Sequence, residues 1–274
     1  MRMQYQTSLI VLATALASAL AVPQAFAADR NLIQTLYHID YVPDTDETIP
    51  RFNLDGELGV LAATGNTTAT SLKAGLTAEH ETYNWSNNYS AQLLYKESEV
   101  TRNGEDVREV TAERFFGYAQ ADYKLNAPGQ RLFMYGDYEN DEFNGYNYRA
   151  SLAGGWSQQL WQNEESDFRY SVGPGYAFVS AEEDTSTPVN NGVIVRASAE
   201  YHYNWTSGAK LRQFVSTEAG GDNIKSRSET SLSANIFGSL AMKVSVILNH
   251  ETETAENVKS LNTETSIALV YRFF

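Results

Sequence analysis

From Phe52 onward, apolar and polar residues alternate with period two in one segment after another. In NYRASLAGGWSQQLW the even positions carry Tyr148, Ala150, Leu152, Gly154, Trp156 and Leu160; the odd ones carry Asn147, Arg149, Ser151, Ala153, Gly155, Ser157 and Gln159. Between Val193 and Trp205, the row Val193, Val195, Ala197, Ala199, Tyr201, Tyr203 and Trp205 opposes Ile194, Arg196, Ser198, Glu200, His202 and Asn204. SLSANIFGSLAMKVSVILN alternates on both sides of its Gly238-Ser239 turn. Successive side chains of a strand point to opposite faces, so each segment predicts a strand with one apolar and one hydrophilic face. About twelve can be placed, near 52–64, 68–83, 85–99, 109–126, 130–142, 145–161, 166–181, 191–206, 208–219, 223–238, 240–251 and 261–274.

Many of these segments are longer than the ~5–6 residues usual in soluble proteins and reach the ~9–11 that a tilted membrane strand needs. Their number is even, as in single-chain bacterial barrels. Connections after even-numbered segments are tight: Tyr83–Trp85, NAPGQ, QNEES, WTSG and FGS. Those after odd-numbered segments are mostly longer and acidic, around ESEVTRNGEDVRE, ENDEFNG, SAEEDTSTPVNN, EAGGDN and ETETAENVKS. The exception is LAATGNTTATS, with a tight Gly65-Asn66 turn. Short turns at one end and longer loops at the other predict an all-β fold: a transmembrane antiparallel β-barrel, about 12 strands, closed as an up-and-down meander over 52–274. The competing soluble sandwich has an equally apolar face but not the strand lengths or loop asymmetry.

If apolar rows face outward, the other rows enclose a lumen. Its lining candidates are Lys73, Arg114, Asp122, Arg149, Arg169, Arg196, Glu200, His202, Lys210, Arg212, Lys243, Glu264 and Arg272. Phe116 and Tyr118 share an inward row and would narrow the path. Aromatic residues near segment ends, Trp85, Tyr89, Tyr146, Tyr148, Trp156, Trp161, Tyr203 and Trp205, are candidates for the interfacial girdles of such a barrel. Acidic residues crowd the connections, including Glu97, Glu109, Asp141, Glu182, Asp222, Glu251 and Glu253. They read as a solvated rim, or as a mouth that attracts cations.

Composition narrows the function. The formal charge is -14, from 34 acidic and 20 basic residues, which argues against nucleic acid as a partner. With no cysteine, disulfides, thiolate metal sites and a cysteine nucleophile are excluded. Arg2, an apolar run from Leu9 to Val22 and Ala25-Phe26-Ala27 read as a signal peptide, residues 1–27, cut after Ala27. Residues 28–51 read as a periplasmic leader and linker. Of the four histidines only His202 is expected inside, on one row with Ser198 and Glu200. That trio hints at a membrane esterase, but i,i+2 neighbours on a strand are roughly 7 Å apart, too far for direct triad contacts. No metal-binding spacing is present, and neither a cofactor nor catalysis is expected.

FNLDGELGVLAATGNTTATSLKAGLTAEHE resembles a bacterial family of unknown function described as salt-induced outer membrane proteins. Gly56-Glu57-Leu58-Gly59 is similar to that family's opening strand, Thr64-Gly65-Asn66-Thr67 to its turn, and Val270-Tyr271-Arg272-Phe273 to its terminus. Tyr271, Phe273 and Phe274 make the assembly-signal candidate. The resemblance implies an outer-membrane barrel and transfers no catalytic residue.

The expected location is the cell outer membrane. The expected partners are outer-membrane lipid and lipopolysaccharide, the barrel assembly machinery, periplasmic chaperones, and small ions or solutes. Three roles fit this reading: a narrow pore for small solutes or ions, a closed structural barrel that supports the envelope, and a lipid-modifying enzyme resting only on Ser198, Glu200 and His202.

Overall fold

A computed structural model describes residues 51–63, 69–102, 105–141, 146–181, 189, 191–221, 223–254 and 260–273. The expected signal peptide and its cut after Ala27, the leader to residue 50, the turn at 64–67 and Phe274 lie outside the described residues.

Twelve strands follow in order: β1 (Arg51–Ala63), β2 (Ala69–Glu81), β3 (Trp85–Arg102), β4 (Glu105–Lys124), β5 (Gln130–Asp141), β6 (Tyr146–Gln162), β7 (Ser166–Ala181), β8 (Gly192–Asn204), β9 (Lys210–Gly220), β10 (Asn223–Phe237), β11 (Leu240–Glu251) and β12 (Leu261–Arg272). Each pairs antiparallel with its neighbours in the chain, and β12 returns to β1, so the sheet is a closed barrel. Closure gives every strand two partners and leaves no edge.

Two connections differ from the sequence expectation. β3 and β4 run on through most of the acidic stretch expected to be a loop, with Val100 opposite Val107 and Arg102 opposite Glu105. Where strands project beyond the apolar band, water can meet both faces, so alternation fades without ending the ladder. The β9–β10 connection is also tight: Asn223 pairs with Gly220, and Gly221 takes a left-handed backbone with φ of 57°.

The distribution of side chains is inside out. Among the described residues, seven hydrophobic residues are buried against eighteen polar or charged ones, while 38 large hydrophobic side chains are exposed. The small apolar core, Phe133, Tyr135 and Ala153 with Tyr118 packed on it, sits on the inner wall of β4–β6. The outer wall carries Leu58, Leu76, Leu93, Met134, Leu152, Val193, Val195, Val244 and Ile267. Polar groups that interrupt this wall on β9 and β10 pair with one another. Gln213 Nε2 donates to Ser228 Oγ at 3.1 Å, and Thr230 Oγ1 donates to Gln213 Oε1 at 2.5 Å. Thr217 and Ser226 share a hydrogen bond of 3.1 Å. Mutual pairing of this kind is what polar groups need where water is scarce.

At the seam, β1 and β12 share only five residue pairs, from Asp55–Arg272 to Gly59–Ala268, against thirteen between β1 and β2. Three contacts reinforce it. Phe273 N donates to Leu54 O at 2.8 Å, Arg272 Nε lies 3.1 Å from Asp55 Oδ1, and the Phe273 ring lies over Gly56. A methyl group built on Gly56 would come within 2.8 Å of that ring. Gly56 in the opening motif is therefore the seat of the Phe273 ring.

At β6–β7 the wall is crowded from inside. Inward positions 155 and 173 face each other as glycines, and a methyl on Gly173 would run into the Gly154 carbonyl and lie 2.8 Å from Gly155 Cα. Backbone cannot yield as a side chain can. Gly173→Ala is therefore expected to destabilise the barrel by about 2 kcal/mol or more, in line with overpacked cores. Gly192→Ala, with nothing within 4 Å of the added methyl, is expected to be near neutral. Urea unfolding followed by tryptophan fluorescence measures both.

Candidate functional site

The inward rows form a network of ion pairs that lines and crosses the lumen. Neighbouring strands supply some of the pairs. Arg169 lies 2.7 Å from Glu200, and Arg212 reaches Glu200 at 2.7 Å and Glu229 at 3.2 Å. Arg196 lies 3.1 Å from Glu218. Lys243 on β11 lies 2.8 Å from Glu57 on β1, across the intervening β12. Lys124 on β4 pairs with Glu81 on β2, across the intervening β3, near the short-turn rim.

Other contacts join strands that are not neighbours. Arg114 on β4 meets Glu264 on β12 through two short contacts, 2.6 and 3.0 Å, across three intervening strands. Arg149 on β6 reaches Glu251 on β11 at 2.8 Å while also holding Glu139 at 2.8 Å. Lys225 on β10 lies 3.5 Å from Glu139 on β5. The Arg227 guanidinium on β10 sits 5.3 Å from the ring centre of Phe116 on β4, the strand diametrically opposite. Two walls of the barrel therefore touch through their side chains. On the β5–β8 side the interior is filled further: the Arg196 guanidinium lies 3.7 Å from the ring centre of Tyr135, and Tyr135 stacks on Tyr118.

The space left open is a cavity of about 890 Å³. Its lining runs from Asp55, Arg272 and the Gly238–Ser239 turn at the short-turn rim to Thr254 and Ser260 at the long-loop rim. Arg114, Arg149, Arg169, Arg196, Glu200, His202, Lys210, Arg212, Lys243, Glu264 and Arg272 all border it. Asp122 faces inward but is wholly buried, accepting from Gln120 at 2.9 Å with Arg169 4.0 Å away. Lys73 is buried behind Glu57, 3.6 Å from it.

Among the girdle candidates, Trp85 packs on Tyr123, Trp161 on Phe168 and Tyr203 on Trp205, all outside and near the short turns. Tyr89 is exposed on the outer wall of β3, and Trp156 shares an outward row with Leu132 and Val172. Tyr148 stacks on Tyr138 near the long loops. Tyr146 is a correction. The ladder slips between Tyr146 and Tyr148, and this bulge turns the Tyr146 ring inward, 5% exposed, with the Arg149 guanidinium 4.5 Å from its centre. Two acids expected at the solvated rim are also inside: Asp141 is buried, and Glu251 holds Arg149 and Asn223. Each is the last inward residue of its strand.

The serine–histidine row does not assemble into a triad. His202 Nδ1 lies 3.1 Å from Asp167 and its Nε2 3.4 Å from Glu200, while Ser198 pairs with Ser171 at 2.7 Å. Among the described residues no cluster of acids and histidines is arranged to hold a metal ion. Among the inward acids and bases outside the sequence expectation, Asp137 and Glu139 sit on alternating positions of β5, Asp167 on β7, Glu218 on β9, and Lys225, Arg227 and Glu229 on alternating positions of β10. That same period could have found them.

Comparison with known proteins gives a family match over residues 56–273, to a family whose description is "Protein of unknown function, DUF481". The uncharacterized protein YdiY of Escherichia coli K12 is 26% identical over 214 residues, 78% of this chain and 80% of that protein. Among solved structures, an outer membrane channel from Pseudomonas putida F1 is 12% identical, over 84% of this chain and 99% of that one, at a TM-score of 0.48. The translocator domain of the autotransporter NalP from Neisseria meningitidis is 8% identical, over 82% and 88%, at 0.39.

The cross-lumen pair can be measured by itself. Arg114→Met and Glu264→Gln, singly and together, are expected to show a coupling of about 1–3 kcal/mol in equilibrium unfolding, since each single change strands a poorly hydrated charge. Additive effects would mean that the two side chains do not meet.

Proposed function

The chain belongs to the DUF481 family of proteins of unknown function, and we propose that it is an outer-membrane β-barrel with a narrow hydrated pore for small ions or polar solutes. The observation that carries the pore reading is the cavity bordered by residues of both rims and by charges of both signs.

The membrane reading rests on the outer wall. Among the described residues 38 large hydrophobic side chains are exposed, most of them on strands; each worth up to ~1.5–3 kcal/mol when removed from water, they would forfeit tens of kcal/mol in a soluble monomer. Outward aromatic residues cluster near both ends: Trp85, Tyr123 and Trp161 near the short turns, Phe115, Tyr138, Tyr148 and Tyr176 towards the long loops. Phe115 and Tyr123 are eight residues apart on β4, or ~21 Å along the barrel axis at ~3.4 Å per residue and ~40° of tilt, close to the apolar height of such barrels. An export signal at residues 1–27, as the sequence suggests, would fit this location, which would be reached through periplasmic chaperones and the barrel assembly machinery, with lipid and lipopolysaccharide around the finished wall.

Within the pore, carboxylates and cations neutralise one another, so the lumen itself carries little preference for either sign. Pairs such as Arg114–Glu264 narrow the path and favour small solutes. The same pairs favour a second reading, a closed barrel that supports the envelope, because they bridge the walls that a wider pore would keep apart.

Planar-bilayer recordings separate the two. The pore reading expects small, reproducible single-channel steps. The double change Arg114→Ala with Glu264→Ala is expected to raise their size roughly twofold or more by removing the bridge. Arg149→Ala is expected to move selectivity towards cations, because Glu139 and Glu251 lose their common partner. Absence of steps from folded wild-type protein would overturn the pore and leave the closed barrel.

A further inference from the structure

The outer wall has a polar interruption. The middle of the outward rows of β2–β8 is aliphatic, with Leu76, Leu93, Met134, Leu152, Val172 and Val195 exposed on it. On β9 and β10 the outward rows include Gln213, Thr217, Ser226, Ser228 and Thr230 instead. They stand in register as the pairs Gln213–Thr230 and Thr217–Ser226, with Val215–Ser228 between them. These positions lie between Leu211, opposite Tyr203 at the short-turn end, and Ile224 at the long-loop end, so they fall within the apolar band. The aromatic girdle breaks at the same place. Phe115, Tyr138, Tyr148 and Tyr176 mark its long-loop side on β4–β7, whereas the outward positions at that end of β8–β11 are Val193, Ala219, Ile224 and His250.

The composition of the patch selects its partner. Acyl chains offer no hydrogen bond, so amide and hydroxyl side chains facing them carry a cost that lipid does not return. The patch contains no charged residue, so it does not suit a lipid phosphate. Bonds within it, from Gln213 Nε2 to Ser228 Oγ and from Thr230 Oγ1 to Gln213 Oε1, make it tolerable in a lone barrel. Hydroxyls and carboxamides both donate and accept, however, so the patch can bond to a copy of itself. Copies inserted into one membrane share their orientation. The two-fold axis that relates two of them runs along the membrane normal, and it can bring β9–β10 of one barrel against β9–β10 of the other. Ala197 and Ala199 on β8, beside Thr217 and Val215, keep the flank of the patch low enough for the two walls to approach closely.

We propose that the outward polar patch of β9 and β10 is a homodimer interface, occupied by the same patch of a second copy of this chain. This rests on the reading of the outer wall as membrane-embedded, and it assigns one sector of that wall to protein instead of lipid. Val215 and Ser228 lie at the centre, nearest the symmetry mate. The Gln213–Thr230 and Thr217–Ser226 pairs bond across the interface on either side of them.

The chain has no native cysteine, so a single introduced thiol reports on its own position. The full-length barrel carrying Val215→Cys, or Leu93→Cys on the diametrically opposite β3, would be reconstituted into phosphatidylcholine liposomes at high lipid excess and treated with a short bis-maleimide. Val215→Cys is expected to give covalent dimer and Leu93→Cys only background. Adding Gln213→Leu, Thr217→Val and Ser228→Ala to Val215→Cys is expected to weaken the dimer about tenfold, the worth of roughly two interfacial hydrogen bonds in a membrane. Energy transfer between labelled copies during lipid dilution measures that change. Monomer alone at position 215, equal yields at 215 and 93, or an undiminished dimer in the folded multiple variant would each overturn the proposal. So would a position-215 adduct in cell envelopes to a chain of another mass, with no homodimer. Should the multiple variant fail to fold, the contrast between the two cysteine positions decides. Liposome flotation reads insertion separately. Protein that floats with lipid but stays monomeric loses only the dimer; protein that does not float loses the membrane reading and the dimer with it.

Discussion

A sheet that returns to its first strand has no edge, and the rest of this structure depends on that closure. Backbone donors and acceptors are paired around the circumference, so the outer wall is free to be apolar without exposing peptide groups. The same geometry fixes the inner wall. With period-two alternation, a row that turns grease outward must turn its hydrophilic neighbours inward, and twelve such rows concentrate acids and bases in one enclosed space. The seam of β1 and β12 is the thinnest part of the circuit, and there the chain adds an ion pair, a backbone bond and an aromatic ring seated on Gly56.

Enclosure explains the second feature of the molecule, the dense pairing of lumenal charge. A guanidinium that cannot reach bulk water needs a carboxylate, and in a barrel the partner can come from the far wall as readily as from the next strand. Arg149 takes one partner from each source, Glu139 beside it and Glu251 opposite. The contacts that compensate charge are therefore the contacts that set the width of the lumen. Stability and permeability are coupled through the same side chains.

Much of this was legible in the residues. Strand number, pairing order and the facing of rows such as Arg196, Glu200 and His202 follow from alternation alone, because a closed meander leaves little choice of neighbour. What alternation could not give is anything that depends on a slip of register or on depth. The bulge before Tyr148 sends Tyr146 inward although its sequence position matches the outward row. Asp141 and Glu251 read as rim acids because their neighbours in sequence are loop residues, yet each is still a full strand member facing the lumen. Cross-lumen partners were out of reach for a plainer reason: nothing local in β4 announces that Arg114 will find Glu264, 150 positions later. That the last strand carries Tyr271 and Phe273 follows from the residues, while the seat of the Phe273 ring on Gly56 needs three dimensions.

Facing is the claim on which the account stands, and depth-dependent quenching reads it directly. In a background without native tryptophan, single tryptophans at Leu152 and at Ser151, adjacent on β6, would be reconstituted into bilayers whose acyl chains carry bromine. The account predicts strong quenching at position 152 and little at 151. Equal quenching at the two positions, or none at 152, would contradict it.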